Sequence, residues 1–382
     1  MKIGIICYPT YGGSGVVATE LGKYLADKGH EVHFISYDQP ARLDMFHENL
    51  YYHEVTVSDY PLFRYPPYEI ALTGKIVDIV LQNKLDVLHA HYAVPHAAAA
   101  VMAKNILAQS GYHIPIVTTL HGTDITLVGK DQTYETVIKH ALLNTDIVTT
   151  VSESLKQDTY DNFDFDKNIR VIPNFIDFSR FAKQPVSHFK KAIATNGERI
   201  VVHVSNFRSL KRVDNVVHIF KRIVDHIPAK LLLVGDGPTR TSVEKICKEY
   251  GLHDKVVFLG KQEAVEEILS VSDLFLMPSE SESFGLAALE AMACEVPVVS
   301  SNIGGIPEVN VEGETGFLLE VHDIEGMAEK GRYILSDDQR LEEFKRRAYE
   351  HSLKYQINKI APQYLATYTE AVEKVLEVNK LS

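Results

Sequence analysis

Short apolar segments alternate with helical segments along most of this chain, and this alternation constrains the fold more than any other feature. Segments with a 3.6-residue apolar period, such as Val16–Lys28 and Ile70–Asn83, separate the apolar runs of the first half. Those runs are continuous rather than alternating, which indicates parallel strands covered by helices on both faces. The predicted strands are Lys2–Cys7, Glu31–Ser36, Tyr51–Val57, Asp86–Ala90, Ile116–Leu120, Asp146–Val151 and Arg170–Ile172.

The same pattern starts again after a polar stretch, 177–197, that shows no clear period. We therefore expect two Rossmann-like α/β units with a boundary near 175–198, followed by a last helical segment at Asn358–Leu376. Ligands of open α/β sheets bind beyond the carboxyl ends of the strands, so we expect the functional residues in the loops that follow strands. The predicted strands of the second unit are Ile200–Val204, Lys230–Val234, Val256–Leu259, Leu274–Met277 and Val298–Ser300.

Charge and cysteine content narrow the class of protein. The chain has 39 basic and 51 acidic residues, a formal net charge of −12, which is unfavourable for a nucleic-acid-binding protein. Cys7, Cys247 and Cys294 are odd in number and widely spaced, which argues for a reducing compartment and against a disulfide framework. No apolar run approaches 18 residues, so we expect no membrane span and a cytoplasmic location. Homo-oligomerisation is left open.

A glycine-rich loop, Gly12-Gly13-Ser14-Gly15, joins the first predicted strand to the first predicted helix. Glycines at such a turn let backbone N–H groups approach a ligand phosphate at a helix N-terminus. The spacing Gly13-x-Gly15-x-x-Ala18, with Asp38 after the second strand, also matches the dinucleotide fingerprint. The alternative is a tight turn that binds no ligand.

A second candidate site follows the fourth predicted strand of the second unit, where a helix begins near Gly285. The first amides of that helix, at Phe284, Gly285 and Leu286, have no intrahelical acceptor and favour an anion. Glu282 lies just before the helix and Glu290 lies over one turn into it, so each can accept hydrogen bonds from hydroxyls. Two carboxylates beside a phosphate site suit a nucleotide sugar, whereas the alternative is an acidic loop with a solvated helical glutamate.

Two further clusters follow strands. One is a local cationic cluster formed by Arg208, Lys211 and Arg212, which can neutralise a departing diphosphate. The alternative is that these residues form only the solvated first turn of a helix.

The other cluster is rich in histidine. It contains His89, His91, Tyr92 and His96, with His121 in a Thr-Leu-His-Gly-Thr-Asp stretch. Histidines at adjacent strand ends can bind a metal, but no fixed carboxylate or cysteine partner is evident. We therefore expect no metal, a structural role for most of these residues and a substrate contact for His121.

The Glu282-x7-Glu290 spacing resembles the signature of the retaining glycosyltransferases of family four, which have the GT-B fold, and the resemblance covers nearly the whole chain. It implies two Rossmann-like domains that face each other across a cleft. The first is an acceptor-binding domain, 1–176, to which a C-terminal helix, 357–382, returns, and the second is a nucleotide-sugar domain, 177–356. The other matching stretches are Val171–Asn174, Leu233–Pro238, Val257–Gly260, Glu290–Cys294, Gly304–Glu308 and Gly316–Phe317.

The resemblance also implies roles for individual residues. Glu282 matches the glutamate near the donor sugar hydroxyls, Glu290 the one that holds the ribose, and Lys211 the lysine on the diphosphate. His121 matches the histidine beside the donor sugar, and the Gly13–Gly15 loop matches the loop that approaches the diphosphate and acceptor. The implied catalytic residues are thus His121, Lys211 and Glu282.

One departure from the family affects the donor site. The family usually has an arginine five residues before the lysine, and this chain has Asn206 there, so Arg208 is the candidate that supplies the charge from a shifted position. The implied donor-binding residues are Gly15, Asn206, Arg208, Lys211, Phe284, Gly285, Leu286 and Glu290.

More narrowly, the stretches His89–His96 and Thr119–Asp124 resemble the family members that transfer GlcNAc to L-malate at the start of bacillithiol biosynthesis. This implies UDP-GlcNAc and L-malate as substrates and same-face attack with retention. No metal or other cofactor is required if Lys211, Arg208 and the helix amides do the work of Mg²⁺ on the leaving diphosphate. Malate needs hydrogen-bond donors, and Ser14, Tyr92 and Thr119 are the acceptor candidates at first-domain strand ends.

Several alternatives remain at this stage. A UDP-GlcNAc 2-epimerase-like isomerase of the same fold would need no acceptor, and a family-four transferase could use another small acceptor. An NAD-dependent dehydrogenase would use the Gly13–Ala18 fingerprint and Asp38 but leaves Glu282 and Glu290 unexplained. A sensor would bind the nucleotide sugar without turnover.

Overall fold

The computed structural model of the chain describes residues 1–10, 12–43, 46–57, 64–126, 131–184 and 187–381. It divides into two compact units, Met1–Phe175 with Ile357–Ser382, and Ile176–Gln356. Each unit is an α/β structure around one parallel sheet, so the predicted fold class is confirmed.

The described part of unit 1 contains a seven-stranded parallel sheet in the order β3-β2-β1-β4-β5-β6-β7. Every residue of the two central strands β4 and β5 is buried, as expected for strands covered on both faces. The strands are β1 (Lys2–Ile6), β2 (Glu31–Ser36), β3 (Leu50–Glu54), β4 (Val87–His91), β5 (Ile116–Leu120), β6 (Ile147–Thr150) and β7 (Ile169–Val171). The α-helices that precede β7 in the chain are α1 (Ser14–Asp27), α2 (Tyr68–Asn83), α3 (Ala98–Gln109), α4 (Thr123–Thr126), α5 (Gln132–Asn144) and α6 (Glu153–Asn162).

Unit 2 has a six-stranded parallel sheet in its described part, in the order β10-β9-β8-β11-β12-β13. The strands are β8 (Arg199–Val204), β9 (Ala229–Val234), β10 (Val256–Gly260), β11 (Leu274–Met277), β12 (Val298–Ser301) and β13 (Gly316–Leu319). The helices are α7 (Ser187–Ile193), α8 (Val213–Val224), α9 (Arg240–Glu249), α10 (Val265–Ser270), α11 (Leu286–Ala293), α12 (Ile306–Val309), α13 (Ile324–Leu335) and α14 (Asp338–Ser352).

Strand β13 and helix α7 are among the elements of unit 2 that were not predicted. Strand β13, with the sequence Gly-Phe-Leu-Leu, pairs in parallel with β12 and was not recognised as a strand in the sequence. Helix α7 lies in the stretch that we expected to be aperiodic, and seven residues span only two turns.

The packing of α8 explains why the second core forms. Its buried residues Val213, Val216, Val217, Phe220 and Val224 recur at the helical spacing and lie on one face, against β8 and β9. The opposite face carries charged residues. This amphipathic pattern orients α8 on the sheet, and with it the turn that precedes the helix and carries Lys211.

The last helix, α15 (Ile357–Leu381), belongs to unit 1 and contacts α1, β4 and β5. Its Tyr364 and Tyr368 side chains are fully buried. Arg170, on β7, donates hydrogen bonds to Thr367 (2.7 Å) and Glu370 (2.6 Å) of this helix. The predicted return of the C-terminal helix to the first sheet is therefore confirmed.

Candidate functional site

The loop after β11 carries Glu282 and is held on two sides by backbone hydrogen bonds. The Glu280 amide donates to the Leu210 carbonyl (2.8 Å), and the Gly305 amide donates to the Glu282 carbonyl (3.0 Å). Gly304 has a φ of +56°, and a Cβ atom there would lie 2.0 Å from the Glu282 carbonyl oxygen. A glycine at 304 is thus what allows the two loops to meet and what positions Glu282.

Glu282 and Lys211 form an ion pair. Lys211 Nζ lies 2.6 Å from Glu282 Oε1, and the same oxygen accepts a hydrogen bond from Ser279 Oγ (3.0 Å). The two side chains are only 21% and 11% exposed. Lys211 ends a short 3-10 turn, Ser209–Lys211, that follows β8. Two residues predicted to contact different parts of a donor are thus neighbours at the carboxyl ends of β8 and β11.

The two arginines of the predicted cationic cluster differ in whether they form ion pairs with carboxylates. Arg212 Nη1 lies 2.5 Å from Glu280 Oε1, and Arg212 Nη2 lies 3.1 Å from Asp214 Oδ2, so this guanidinium is already neutralised. Arg208 is exposed and has no ion pair with a described residue. Within the predicted cluster, pairing with carboxylates thus sets Lys211 and Arg212 apart from Arg208.

Asn206 and Arg208 are exposed on either side of Phe207, which is fully buried and has a φ of +40°. This turn points the intervening aromatic ring into the core. The donor contacts of Asn206 and Arg208 remain predictions.

Helix α11 begins at Leu286, one residue after the predicted start, and Gly285 precedes it in the left-handed region with a φ of +94°. The Phe284 side chain is buried, with its ring centroid 5.7 Å from that of Tyr355, so Phe284 can offer a ligand only its backbone. Leu286 and Glu290 are four residues apart and lie on the less buried side of the helix. The side chains of Leu286 and Glu290 therefore share one face of α11, close to the helix N-terminus, where the first amides lack intrahelical acceptors.

In unit 1, the glycine-rich loop leads into α1 as predicted. Gly13 precedes the helix with a φ of +54°, and the Ser14 side chain is largely buried. A Cβ atom on Gly15 would lie 2.6 Å from the carbonyl oxygens of Tyr8 and Thr10. The chain thus needs a glycine at 15 for its own loop packing, and a donor contact of Gly15 remains a prediction.

The predicted histidine cluster exists and lies at the carboxyl ends of β4 and β5. His91 Nδ1 lies 2.9 Å from His121 Nε2, and the two rings are stacked with their centroids 5.1 Å apart. His96 Nδ1 donates to the His91 carbonyl oxygen. His89 packs beside His91, with a centroid distance of 4.1 Å.

A tyrosine from the last helix completes this cluster. His89 Nδ1 lies 2.7 Å from the hydroxyl of Tyr368, and His89 Nε2 lies 2.7 Å from Thr119 Oγ1. Tyr368 is 279 residues away in the chain, and sequence reasoning missed it because no local pattern connects the two.

Thr119, one of the three acceptor candidates, has internal hydrogen-bond partners. Thr119 lies within β5, its side chain is fully buried, and its hydroxyl contacts both His89 Nε2 and Thr149 Oγ1 at 2.7 Å. The Thr119 hydroxyl thus supports the histidine cluster, and a contact of Thr119 with the acceptor remains a prediction.

Tyr92 directly follows β4 and has a φ of +88°, an unusual and strained value for a residue with a side chain. Its ring centroid lies 5.4 Å from that of His121 and 5.3 Å from that of Tyr8. The backbone thus turns Tyr92 toward the histidine cluster. The acceptor contacts of Tyr92 and Ser14 remain predictions.

The histidines of the cluster are neutral. Burial lowers the pKa of His89 and of His121 to about 3 and that of His96 to about 4, and it also lowers the pKa of His91. Among the described residues, no group of three or more His, Cys, Asp or Glu side chains is placed to hold a metal ion.

Asp124 is a buried residue that sequence reasoning did not select. Its carboxylate accepts hydrogen bonds from the Ala93 amide (2.9 Å) and the Gly122 amide (3.0 Å), and burial raises its pKa to about 6. Asp124 thus ties the loop after β4 to the loop after β5. A buried charge that joins two site loops is the signal that could have identified it, but burial is not visible in the sequence.

Comparison with known proteins decides the family. Residues 11–180 match the family model described as Glycosyltransferase Family 4, and residues 186–351 match Glycosyl transferases group 1. N-acetyl-alpha-D-glucosaminyl L-malate synthase of Bacillus anthracis is 46% identical over 374 residues, which are 97% of this chain and 97% of that protein. The chain belongs to glycosyltransferase family 4.

Solved structures show the same glycosyltransferase fold. Anabaena Alr3699/HepE, in complex with UDP and glucose, has a TM-score of 0.83 and 20% identity, and the match covers 97% of this chain and 99% of that one. Sucrose-phosphate synthase of Thermosynechococcus elongatus has a TM-score of 0.79 and 22% identity, with 97% and 98% covered. These likenesses establish the GT-B fold.

Membership of family 4 makes the chain a glycosyl-transferring enzyme, so the dehydrogenase alternative loses its basis. In the described part of this glycosyltransferase, no helix combines the length and the apolar character that crossing a bilayer requires.

Proposed function

We propose that this glycosyltransferase moves GlcNAc from UDP-GlcNAc to the hydroxyl of L-malate, with retention at the anomeric carbon. The observation that carries the proposal is the 46% identity, over 97% of both chains, to N-acetyl-alpha-D-glucosaminyl L-malate synthase. The product is then GlcNAc-malate, the first intermediate of bacillithiol biosynthesis in the family members that the sequence resembles. A cytoplasmic location goes with this proposal.

Unit 2 holds the donor in this proposal. Glu290 accepts hydrogen bonds from the ribose hydroxyls, and the first amides of α11 bind the diphosphate. Lys211 neutralises the charge that grows on the diphosphate as the bond to the sugar breaks. Glu282, then released from Lys211, accepts hydrogen bonds from sugar hydroxyls.

The reaction exchanges one bond for another. The bond from the anomeric carbon to the β-phosphate oxygen breaks, and UDP leaves with its electron pair. The malate hydroxyl oxygen attacks from the same face, and its proton passes to an oxygen of the departing phosphate. Lys211, Arg208 and the helix amides supply the positive charge that a divalent cation would otherwise supply, so no metal is required in this proposal.

Unit 1 binds the acceptor in this proposal. Ser14, at the first turn of α1, and Tyr92, directly after β4, supply hydroxyl donors for the malate carboxylates. The positive end of α1 also favours an anion there. His121, on the next strand end, contacts the donor sugar.

Turnover assays test the proposal directly. The purified protein is mixed with UDP-GlcNAc, with and without L-malate, and UDP release and product mass are followed. We expect UDP release with malate and a product with the mass of GlcNAc-malate, and none with succinate, which lacks the hydroxyl. UDP and an altered sugar without malate would instead indicate an epimerase, and binding without turnover a sensor.

A further inference from the structure

Two buried histidines meet in unit 1, and only one of them has a proposed role. His121 is the proposed sugar contact, and its Nε2 is occupied by His91 Nδ1 at 2.9 Å. His91 is fully buried on β4 and has no part in the proposed reaction. The ring nitrogen through which His121 can meet a ligand is therefore Nδ1.

Charge limits what this contact can be. Burial lowers the pKa of both imidazoles far enough to keep both neutral at physiological pH. A neutral imidazole carries one N–H and one lone pair, so one ring donates the shared hydrogen bond and the other accepts it. The direction of that bond determines which nitrogen of His121 carries its proton.

The other nitrogens of the cluster indicate the direction. His96 Nδ1 contacts the His91 carbonyl oxygen, which can only accept a hydrogen bond, so His96 Nδ1 carries the proton and donates the bond. Nε2 of the neutral His96 ring therefore carries a lone pair and no proton. His91 Nε2 is buried and has no hydrogen-bond partner among the described residues. If His121 donated, His91 would bury an unpaired N–H, whereas if His91 donates, only a lone pair is left unpaired. Buried N–H groups without partners are the rarer of the two, which favours His91 as the donor.

We propose that His91 is a positioning residue that holds His121 as its neutral Nδ1–H tautomer. His121 then presents a hydrogen-bond donor to an oxygen of the donor substrate, and not a base that could take its proton. The proposal rests on the proposed sugar contact of His121, but the tautomer itself does not depend on which sugar or acceptor is used.

Two variants of His91 separate the hydrogen bond from the packing. His91→Phe keeps a ring of similar size and removes the donor, whereas His91→Asn loses the ring but keeps an N–H near the Nδ1 position. A control exists in the same unit, because His33 Nδ1 lies 2.8 Å from His53 Nε2 in another stacked pair, on β2 and β3, of which His33 is buried and His53 half-buried. His33→Phe removes that pair and leaves the cluster at β4 and β5 intact.

The direct readout is the long-range ¹H–¹⁵N correlation spectrum of the full-length enzyme labelled with ¹⁵N-histidine. We expect His121 to show a protonated Nδ1 and an unprotonated Nε2 in the parent, in His91→Asn and in His33→Phe. His91→Phe should shift His121 toward the Nε2–H form. A parent enzyme with Nε2 protonated, or a His91→Phe variant with an unchanged tautomer, overturns the proposal whatever the enzyme's substrates are.

Kinetics give the second readout. We expect kcat/KM for UDP-GlcNAc to fall at least about tenfold in His91→Phe, because His121 loses the partner that fixes its tautomer; removing the outer hydrogen-bond partner of a metal-binding histidine has effects of this size. His91→Asn should recover most of this loss, and His33→Phe should show none. Equal losses in His91→Phe and His91→Asn would mean that the ring packing matters and the donor does not. A parent without any transferase activity, but with the expected tautomer, would contradict only the proposed function.

Discussion

Lys211 and Glu282 are 71 residues apart in the chain, yet their side chains meet as an ion pair with a nitrogen–oxygen distance of 2.6 Å. Each is a residue for which the sequence predicts a separate contact with the donor. Their pairing keeps the lysine charge partly buried and oriented without a ligand. Binding of a diphosphate would replace one carboxylate partner of Lys211 with another anion.

Replacing Lys211 with alanine should mainly lower turnover, because the negative charge on the leaving diphosphate grows toward the transition state. The expected loss in kcat is about 10²-fold or more, the scale for removing one electrostatic stabiliser. Lys221→Ala is the matched control, since Lys221 forms an exposed pair with Asp225 on α8 in the same unit. Steady-state rates of UDP release measure both, and an unchanged kcat in Lys211→Ala would refute the role.

Glu290→Ala should raise KM for the donor, because the hydrogen bonds to the ribose are lost. A charge-assisted bond contributes about 1.5–3 kcal/mol, which corresponds to a rise of roughly tenfold or more. Titration calorimetry with UDP gives the affinity directly. Glu267→Ala, an exposed glutamate on α10, should bind UDP like the parent. If Glu290→Ala also does so, the ribose assignment is wrong.

Chelation should leave activity largely intact. The proposed mechanism uses Lys211, Arg208 and helix amides as its positive charges, so dialysis against EDTA should change kcat by less than about twofold. Activity that disappears with EDTA and returns with Zn²⁺ or Mg²⁺ would show that the enzyme needs a metal ion in addition to these positive charges.

Tyr368→Phe should destabilise unit 1 without changing its fold. The substitution removes the hydroxyl that His89 Nδ1 contacts at 2.7 Å and leaves a buried polar nitrogen without that partner. The expected loss in the free energy of unfolding is about 1–3 kcal/mol, measured by urea denaturation. Tyr134→Phe, an exposed position on α5 of the same unit, should change it by less than about 0.5 kcal/mol.

Acid should destabilise the protein through its buried neutral histidines, and His203 offers a test away from the histidine cluster. Burial lowers the pKa of His203 to about 4, below the value of ~6.5 in an unfolded chain. Between these values the unfolded state binds a proton that the folded state does not, so the free energy of unfolding falls as the pH falls through this window.

His203→Asn keeps a donor for the Leu276 carbonyl, which His203 Nδ1 contacts at 2.8 Å, but removes the titrating ring. The dependence of unfolding free energy on pH should become shallower by up to about 1.4 kcal/mol per pH unit between pH 4 and 6.5. Urea denaturation at several pH values measures the slope. An undiminished slope would mean that His203 is not neutral in the folded state, and exposed His113→Asn serves as the comparison.

The sequence predicts the fold well where a strand is a continuous apolar run between helices. Strands β2, β5 and β11 begin and end at the predicted residues. Strand β13 was not predicted, because its pairing with β12 comes from tertiary packing that no local pattern records.

The candidate site is predicted less completely, because a residue type does not reveal its partners. Glu282 and Lys211 were selected for their chemistry, but their contact with each other depends on how β8 and β11 lie in the sheet. Thr119 was selected as a hydroxyl near a strand end, yet the register with His89 and Thr149 makes it internal. Burial and cross-strand contact decided both outcomes.

The return of α15 to the first sheet has a consequence for how this protein is made. The hydroxyl that Tyr368 gives to His89 is synthesised 279 residues after its partner. At 5–20 residues per second, the ribosome needs roughly 15 to 55 s to cover that distance. During that time the whole of the second unit can emerge and fold, while His89 on β4 still lacks its hydrogen-bond partner Tyr368. The first sheet to be translated is thus the last to be finished, and a nascent chain that terminates just before residue 357 carries a complete second unit and a first-unit core without its last helix.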